Sequence, residues 1–227
     1  MGDILDIHID LSKCDEAKVS FLEGELYSSK IVDYNTLAKF INKISKTETK
    51  IGYSIPNNCV SLINENDNVE VTVYKEACIL PVVMYDGSAY LVPYPKLIFN
   101  ISINLEDRVM NSCKCFAIKD SADPYDLDEE LYLFPYSNVG GNGDVCFGSN
   151  ATNDLQGSIR EIVGYLLDLF YSAPYNGDYY NMSRTGYLIG SLPELFKKLN
   201  GHESFDDKML VSTNKQIGEV FDIKNLY

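Results

Sequence analysis

Positive charge is what this sequence has least of. Nineteen Lys and Arg residues stand against 33 Asp and Glu in 227 residues, a formal net charge of −14, and no Lys/Arg cluster interrupts that balance. Phosphate backbones and anionic lipid surfaces both require a basic footprint, so neither nucleic acid nor a membrane is an expected partner. Long apolar runs are missing as well. None approaches the roughly 20 residues that span a bilayer, and Met1-Gly2-Asp3-Ile4 is not a basic segment leading into an apolar one; the expected compartment is the cytoplasm. Histidine occurs twice, as His8 and His202, both far from Cys146 in sequence, which makes a Cys-His hydrolase hard to assemble. The six cysteines, at 14, 59, 78, 113, 115 and 146, are too few and too scattered for the disulfide framework of a small secreted domain. Reduced thiols are expected, most of them buried as small hydrophobes. There is no internal repeat and no low-complexity segment.

What is present is enough apolar sequence, 45%, to bury one sizeable core and a small appended lobe. Alternation of apolar and polar residues over 4–11 and again over 18–22 predicts a hairpin-like pair of strands. Over 34–45 the period changes, and Leu37, Phe40, Ile41 and Ile44 fall on one face of a helix. Strands return at 60–63, 69–74 and 79–85, the pattern of an antiparallel meander. Asp86-Gly87 then makes a hairpin turn into 89–103, where Pro93 and Pro95 demand an edge or a bend.

A short strand at 113–119 and the stretch 131–136 flank an acidic surface loop over 120–130. A long helix is predicted from Leu155 to about Tyr171, with Leu155, Ile159, Ile162, Val163, Leu166 and Phe170 as its buried stripe and Asp154 as its cap. Pro174 and the polar residues 175–183 end it. A second helix over 192–199 stops at Asn200-Gly201, and the last residues, to 226, read as weakly helical and peripheral.

Chemistry concentrates in residues 136–149, YSNVGGNGDVCFGS. Taken singly, a cysteine beside an apolar residue is usually packing and an asparagine before glycines is usually a turn residue. The glycine run could cradle phosphate, yet no Lys-Ser/Thr pair accompanies it and its surroundings are acidic, so no nucleotide or other cofactor is expected. Two further clusters are read as structural. Cys113 and Cys115 share one face of a strand but have no second pair at zinc-like spacing. Asp6, His8 and Asp10 alternate along a strand, where a solvated face is preferred over a divalent metal site.

Taken together, the residues of this segment resemble the ubiquitin-conjugating enzymes, and within them the prokaryotic branch called family D, which includes the protein B of the PRTRC plasmid system. The eukaryotic enzymes place their catalytic cysteine eight residues after the asparagine of a His-Pro-Asn-Ile stretch, across a glycine turn. Here Asn138 precedes Cys146 by eight, across Gly140-Gly141-Asn142-Gly143, and Cys146-Phe147-Gly148 matches the residues that follow. Upstream, Pro93-Tyr94-Pro95-Lys96-Leu97-Ile98-Phe99 is similar to the family's proline-rich third strand, and Cys115-Phe116-Ala117-Ile118 to a strand of the bacterial branch. Tyr136-Ser137 stands in place of His-Pro. The 36 residues between Phe99 and Tyr136 exceed the eukaryotic spacing and point to the bacterial branch.

The resemblance implies an α+β fold: a ubiquitin-conjugating-like antiparallel meander packed on helices over 51–175, an N-terminal strand and helix lobe over 1–50, and a C-terminal helical extension over 176–227. It implies a ubiquitin-like modifier and a ThiF-like adenylating activating enzyme as partners, with no cofactor and no metal. Cys146 would accept the modifier as a thioester, and Asn138 would hold the loop or donate to the tetrahedral oxyanion. Asp178, beyond the helix in Asn176-Gly177-Asp178, would gate the incoming amine. Transfer from thioester to amine needs an exposed thiolate and no histidine base. The N-terminus of the helix after Cys146 is expected to aim its dipole toward the thiol. The same fold without covalent chemistry, a binding module encoded in a mobile element, is the second expectation.

Overall fold

The structure is a computed structural model that describes residues 4–9, 16–23, 26–33, 54–148, 150, 152–221 and 223. The chain divides into two compact units, Met1–Ile51 and Gly52–Tyr227. In the first unit, β1 (Ile4–Ile9), β2 (Glu16–Glu23) and β3 (Leu26–Asp33) form an antiparallel sheet in sequence order. The two alternating segments pair as predicted, with Ile4 opposite Leu22 and Ile9 opposite Ala17. β3 has a polar centre, Ser28-Ser29-Lys30, that gives no strand signal by itself; its ladder with β2 supplies what propensity does not. The helix predicted over 34–45 lies outside the described residues.

The second unit is built on a six-stranded antiparallel sheet. Its strands are β4 (Cys59–Glu65), β5 (Asn68–Lys75), β8 (Lys96–Asn104), β9 (Val109–Ile118), β10 (Glu130–Tyr132) and β11 (Ser212–Gln216), in the order β11-β10-β9-β8-β5-β4. The remaining two strands, β6 (Cys78–Val83) and β7 (Ala89–Tyr94), form a ladder of their own. The simple meander is therefore interrupted, because β5 pairs with β8 rather than with β6. The interruption has two local causes. Asp86-Gly87 closes the β6–β7 hairpin at once, with Gly87 at φ +85 and the Asp86 carboxylate accepting the Ser88 N–H at 2.8 Å. Pro95 then breaks the chain between β7 and β8, so β8 starts a new course beside β5.

Successive residues of β8 are buried on opposite faces: Ile98 and Phe99 are both fully enclosed. Phe99 lies opposite Cys115 and Ile98 opposite Phe116, so the middle of the sheet is covered on both sides. On one side lies α1 (Ile159–Ser172), whose Phe170 meets Phe99 edge-on at 5.1 Å. On the other side Ile98, Phe116, Ile118 and Leu131 pack with Ile217, Phe221 and Ile223.

The C-terminal segment is thus partly strand and far from peripheral. β11 joins the sheet edge, the short α3 (Ile217–Val220) follows, and both close over apolar residues. The edge residues Thr213 and Lys215 are polar, which is why no alternating apolar signal marked them.

Helix α1 begins later than its pattern of apolar residues. Ser158 is the cap, in a capping box with Glu161, whose carboxylate accepts the Ser158 N–H at 2.7 Å. Asp154 is instead in a left-handed turn at φ +52, and Leu155, although buried, lies outside the helix. The reason is that Leu155 donates its N–H to Arg108 O at 2.9 Å and Gly157 takes φ +92, so the chain cannot coil before Ser158.

α2 (Leu192–Leu199) buries Leu192, Leu195, Phe196 and Leu199 and ends at Gly201, φ +82, as its sequence predicted. The acidic stretch 120–130 is mostly exposed. It is anchored at one end by Lys96, whose ammonium donates to the carbonyls of Asp120 and Ala122 at 2.6 and 3.1 Å. Among the described residues, no helix is long and apolar enough to cross a membrane.

Candidate functional site

Tyr136 and Ser137 precede the cysteine turn, and neither is exposed to solvent. The Tyr136 ring packs edge-on against Tyr94, Phe134 and Phe196 at 5.1–5.4 Å, and its hydroxyl donates to the carbonyl of Pro93. A His-Pro pair is absent here, but burial of an aromatic ring with a satisfied hydroxyl fixes the backbone entering Asn138 by packing instead.

From Asn138 the chain makes a tight excursion and returns. Val139 and Val145 form an antiparallel bridge, Gly140 N–H donates to Asp144 O at 2.8 Å, and Gly143 N–H to Gly140 O at 3.1 Å. Gly143 sits at φ +90 and its Cα faces the Phe116 ring. The returning limb lies along β9: Cys115 N–H donates to Gly143 O at 2.8 Å and Val145 N–H to Cys113 O at 2.9 Å. Cys146 N–H then closes the excursion on Asn138 O at 2.8 Å. The eight-residue spacing is therefore the length of one hydrogen-bonded loop, with Asn138 and Cys146 side by side at its neck. Phe147 is buried and anchors the far side, while Cys146 itself is exposed.

Exposure separates Cys146 from the other described thiols. Cys113 and Cys115 are buried in the sheet behind the loop, and desolvation pushes both thiols far above the ordinary range, with the Asp144 carboxylate adding to the effect at Cys113. Cys59 and Cys78 are half-buried, and burial raises both. Thiols held protonated in this way are poor nucleophiles.

Two other segments converge on the neck of the loop. Asn138 is itself at φ +70, and its side-chain Nδ2 donates to Pro174 O at 3.3 Å. Ser137 Oγ donates to Asn176 Oδ1 at 3.3 Å. Asn176 in turn donates to the Asp178 carboxylate at 2.6 Å and accepts the Asp178 N–H at 3.0 Å. Tyr175, between them, is clamped to the end of β6: its N–H donates to Val83 O at 2.8 Å, and its carbonyl accepts the Tyr85 N–H at 3.0 Å. The structure thus brings residues 174–178, beyond α1, to the same place as Asn138, and Asp178 is exposed there.

Sequence reasoning missed Asn176, which links Ser137 to Asp178. It stands in no periodic pattern, and the polar run Asn176-Gly177-Asp178-Tyr179 reads from sequence only as a helix terminator. The helix dipole also resolves differently. The first turn of α1 is occupied by its own Glu161 carboxylate, so the positive end of the helix is answered locally. Elsewhere, Asp6 and His8 fall on β1 and Asp10 lies outside the described residues, while His202 is exposed just after Gly201.

Comparison with curated proteins and with solved structures gave no match. A family model described as prokaryotic E2 family D matches residues 25–213. That span takes in five strands of the six-stranded sheet and the start of the sixth, β11, with the Cys146 loop, the helix behind it and the turn that leans on Asn138, and on it the chain belongs to prokaryotic E2 family D, the ubiquitin-conjugating-like proteins of bacterial type.

Proposed function

We propose that the protein carries a ubiquitin-like modifier as a thioester on Cys146 and passes it to an amine. One observation carries the reading: in a chain of this family, the exposed described cysteine is held at the neck of a rigid loop, hydrogen-bonded through its N–H to Asn138 O. A thiol so placed can meet a bulky acyl donor, and a rigid backbone keeps the sulfur from collapsing onto the sheet. In loading, the Cys146 sulfur bonds to the modifier's terminal carbonyl carbon, the donor's carbon–sulfur bond breaks, and the donor leaves as a thiolate. The donor is a ThiF-like adenylating activating enzyme, and the reduced thiols fit work in the cytoplasm.

Asn138 holds the loop, because its amide donates to Pro174 O; a second amide hydrogen remains for a developing oxyanion. Asp178 is the acceptor-side residue, an exposed carboxylate that orders an incoming ammonium group before it loses its proton. The experiment is incubation with modifier, activating enzyme and ATP, read by non-reducing electrophoresis. The parent forms an adduct that thiol reagents remove, and Cys146→Ser does not. Retention of the same thiol-sensitive adduct by Cys146→Ser would falsify the assignment.

A second reading has one observation behind it, the replacement of His-Pro by Tyr136-Ser137. In that reading the fold is a non-covalent module or scaffold in a mobile-element-encoded system. Equal co-elution of the modifier with the parent and with Cys146→Ala, and no adduct with either, is its signature.

A further inference from the structure

Resting on the reading of Cys146 as the acyl-carrying thiol, we propose that Lys114 is an acceptor amine built into the protein. The acyl group held on Cys146 passes in cis to the Lys114 side-chain nitrogen, and the protein becomes modified at that lysine.

The placement follows from the way the returning limb of the loop lies along β9. Lys114 and Asp144 form an antiparallel bridge, and two backbone bonds, Cys115 N–H to Gly143 O and Val145 N–H to Cys113 O, lie one on either side of it. A pair flanked by bonds in this way is of the close kind, with both side chains on one face. Val145, bridged to Val139 as well, keeps the limb extended, so Cys146 falls on the same face as Asp144. Burial follows the alternation. Asp144 and Cys146 are exposed and Val145 between them is less so, while Cys113 and Cys115, on the opposite face of β9 from Lys114, are buried. Lys114 is thus the diagonal neighbour of Cys146, with the two residues about 7–8 Å apart. By ordinary bond lengths a lysine nitrogen reaches roughly 5 Å beyond Cβ, and a cysteine thioester holds its carbonyl carbon about 3 Å beyond Cβ. Together they span that gap.

The amine is also uncommitted. Among the described residues the Lys114 side chain has no hydrogen-bond or ion-pair partner, and the Asp144 carboxylate opposite it is engaged by Asn142 Nδ2 at 2.6 Å. Lys96, by contrast, is enclosed and spends its ammonium on two carbonyls and Glu76. Lys119 and Lys198 lie over the rings of Tyr132 and Tyr187. In the transfer, the neutral Lys114 amine bonds to the thioester carbonyl carbon and the carbon–sulfur bond breaks. The electron pair leaves on the Cys146 sulfur, and the excess proton on the nitrogen passes to water. An isopeptide bond and a free thiolate remain. Two strands already bonded to each other replace a chance encounter between thioester and amine.

A peptide ending in Gly-Gly, supplied as its thioester, loads Cys146 by thiol exchange with no other protein present. Dithiothreitol then strips thioesters and leaves isopeptides, which peptide mass spectrometry locates. At pH 8, after removal of free peptide, the loaded parent is expected to carry the peptide over to Lys114 at a first-order rate that dilution does not change. In Cys146→Ala incubated with the same peptide, the Lys114 adduct is expected to fall by about tenfold or more, since only direct attack on the free thioester remains. Lys114→Arg keeps the charge and removes the nucleophile, and its Cys146 thioester is expected to last about three- to tenfold longer. A thioester on Cys146 that yields no Lys114 isopeptide, or a yield as high in Cys146→Ala, overturns the self-acceptor role and leaves the carrier reading standing. A rate that falls on dilution assigns the transfer to a neighbouring copy and overturns it equally. A parent whose Cys146 takes no acyl group from the peptide overturns the carrier reading, and this inference with it.

Discussion

A Cβ built on Gly143 would lie 2.3 Å from the Phe116 ring, and the residue is held at φ +90. Phe116 is buried in the core beneath the loop and has nowhere to go. Gly143→Ala is therefore expected to cost about 2–4 kcal/mol, from backbone strain and overpacking together, measured by urea denaturation. Gly141, two residues earlier, has open space around it and no left-handed backbone, so Gly141→Ala should leave stability within about 0.5 kcal/mol of the parent. The contrast separates a glycine required by tertiary contact from one that merely completes a run. At this scale the sequence was legible where spacing carried the information: Asn138 and Cys146 are eight apart because the loop between them is one hydrogen-bonded excursion. The bond from Ser137 to Asn176 was not legible, because contact between residues 39 positions apart leaves no local pattern.

At the scale of elements, the start of α1 shows how local chemistry overrides a periodic stripe. Leu155 belongs to the stripe and is buried, yet the helix begins only where Ser158 and Glu161 can satisfy each other's donors. Ser158→Ala is expected to destabilise the protein by about 1 kcal/mol, read from thermal or urea unfolding. The Ser158 N–H and hydroxyl, in that order, hold the Glu161 carboxyl below its ordinary value. The unfolded chain therefore takes up that proton at a higher pH than the folded one. The stabilisation is complete above the ordinary glutamate pKa of about 4.3 and is lost as pH falls through the lower folded value. The stability difference between the parent and Glu161→Gln should accordingly shrink in acid, and a difference constant from pH 6 to pH 3 would contradict the cap.

For the whole molecule, the decisive feature is that the sheet is covered on both faces. One cover, α1, follows the Cys146 loop directly; the other comes from the C-terminal segment, whose Ile217, Phe221 and Ile223 pack on Ile98, Phe116 and Leu131. Phe116 is shared between this second core and the floor of the Gly143 turn, so the distant C-terminal residues support the loop that presents Cys146. Phe221→Ala is expected to cost about 3–4 kcal/mol, measured by urea denaturation. Because the less stable protein opens more often, iodoacetamide should also reach the buried Cys115, on the other face of the sheet, faster.

Alternation and turn chemistry determined the strands from β4 to β9, the Asp86-Gly87 hairpin and the helix ending at Gly201, while the pairing of Asn138 with Cys146 was what the resemblance to ubiquitin-conjugating enzymes implied. Each of these is a preference over a few neighbouring residues, and such preferences are written in the order of the chain. Tertiary structure alone decided that β5 pairs with β8, that a polar C-terminal strand completes the sheet, and that residues 174–176 lean on the neck of the Cys146 loop. These arise from burial and hydrogen-bond satisfaction between segments tens of residues apart, where the free energy depends on which surfaces meet and not on the sequence of either one.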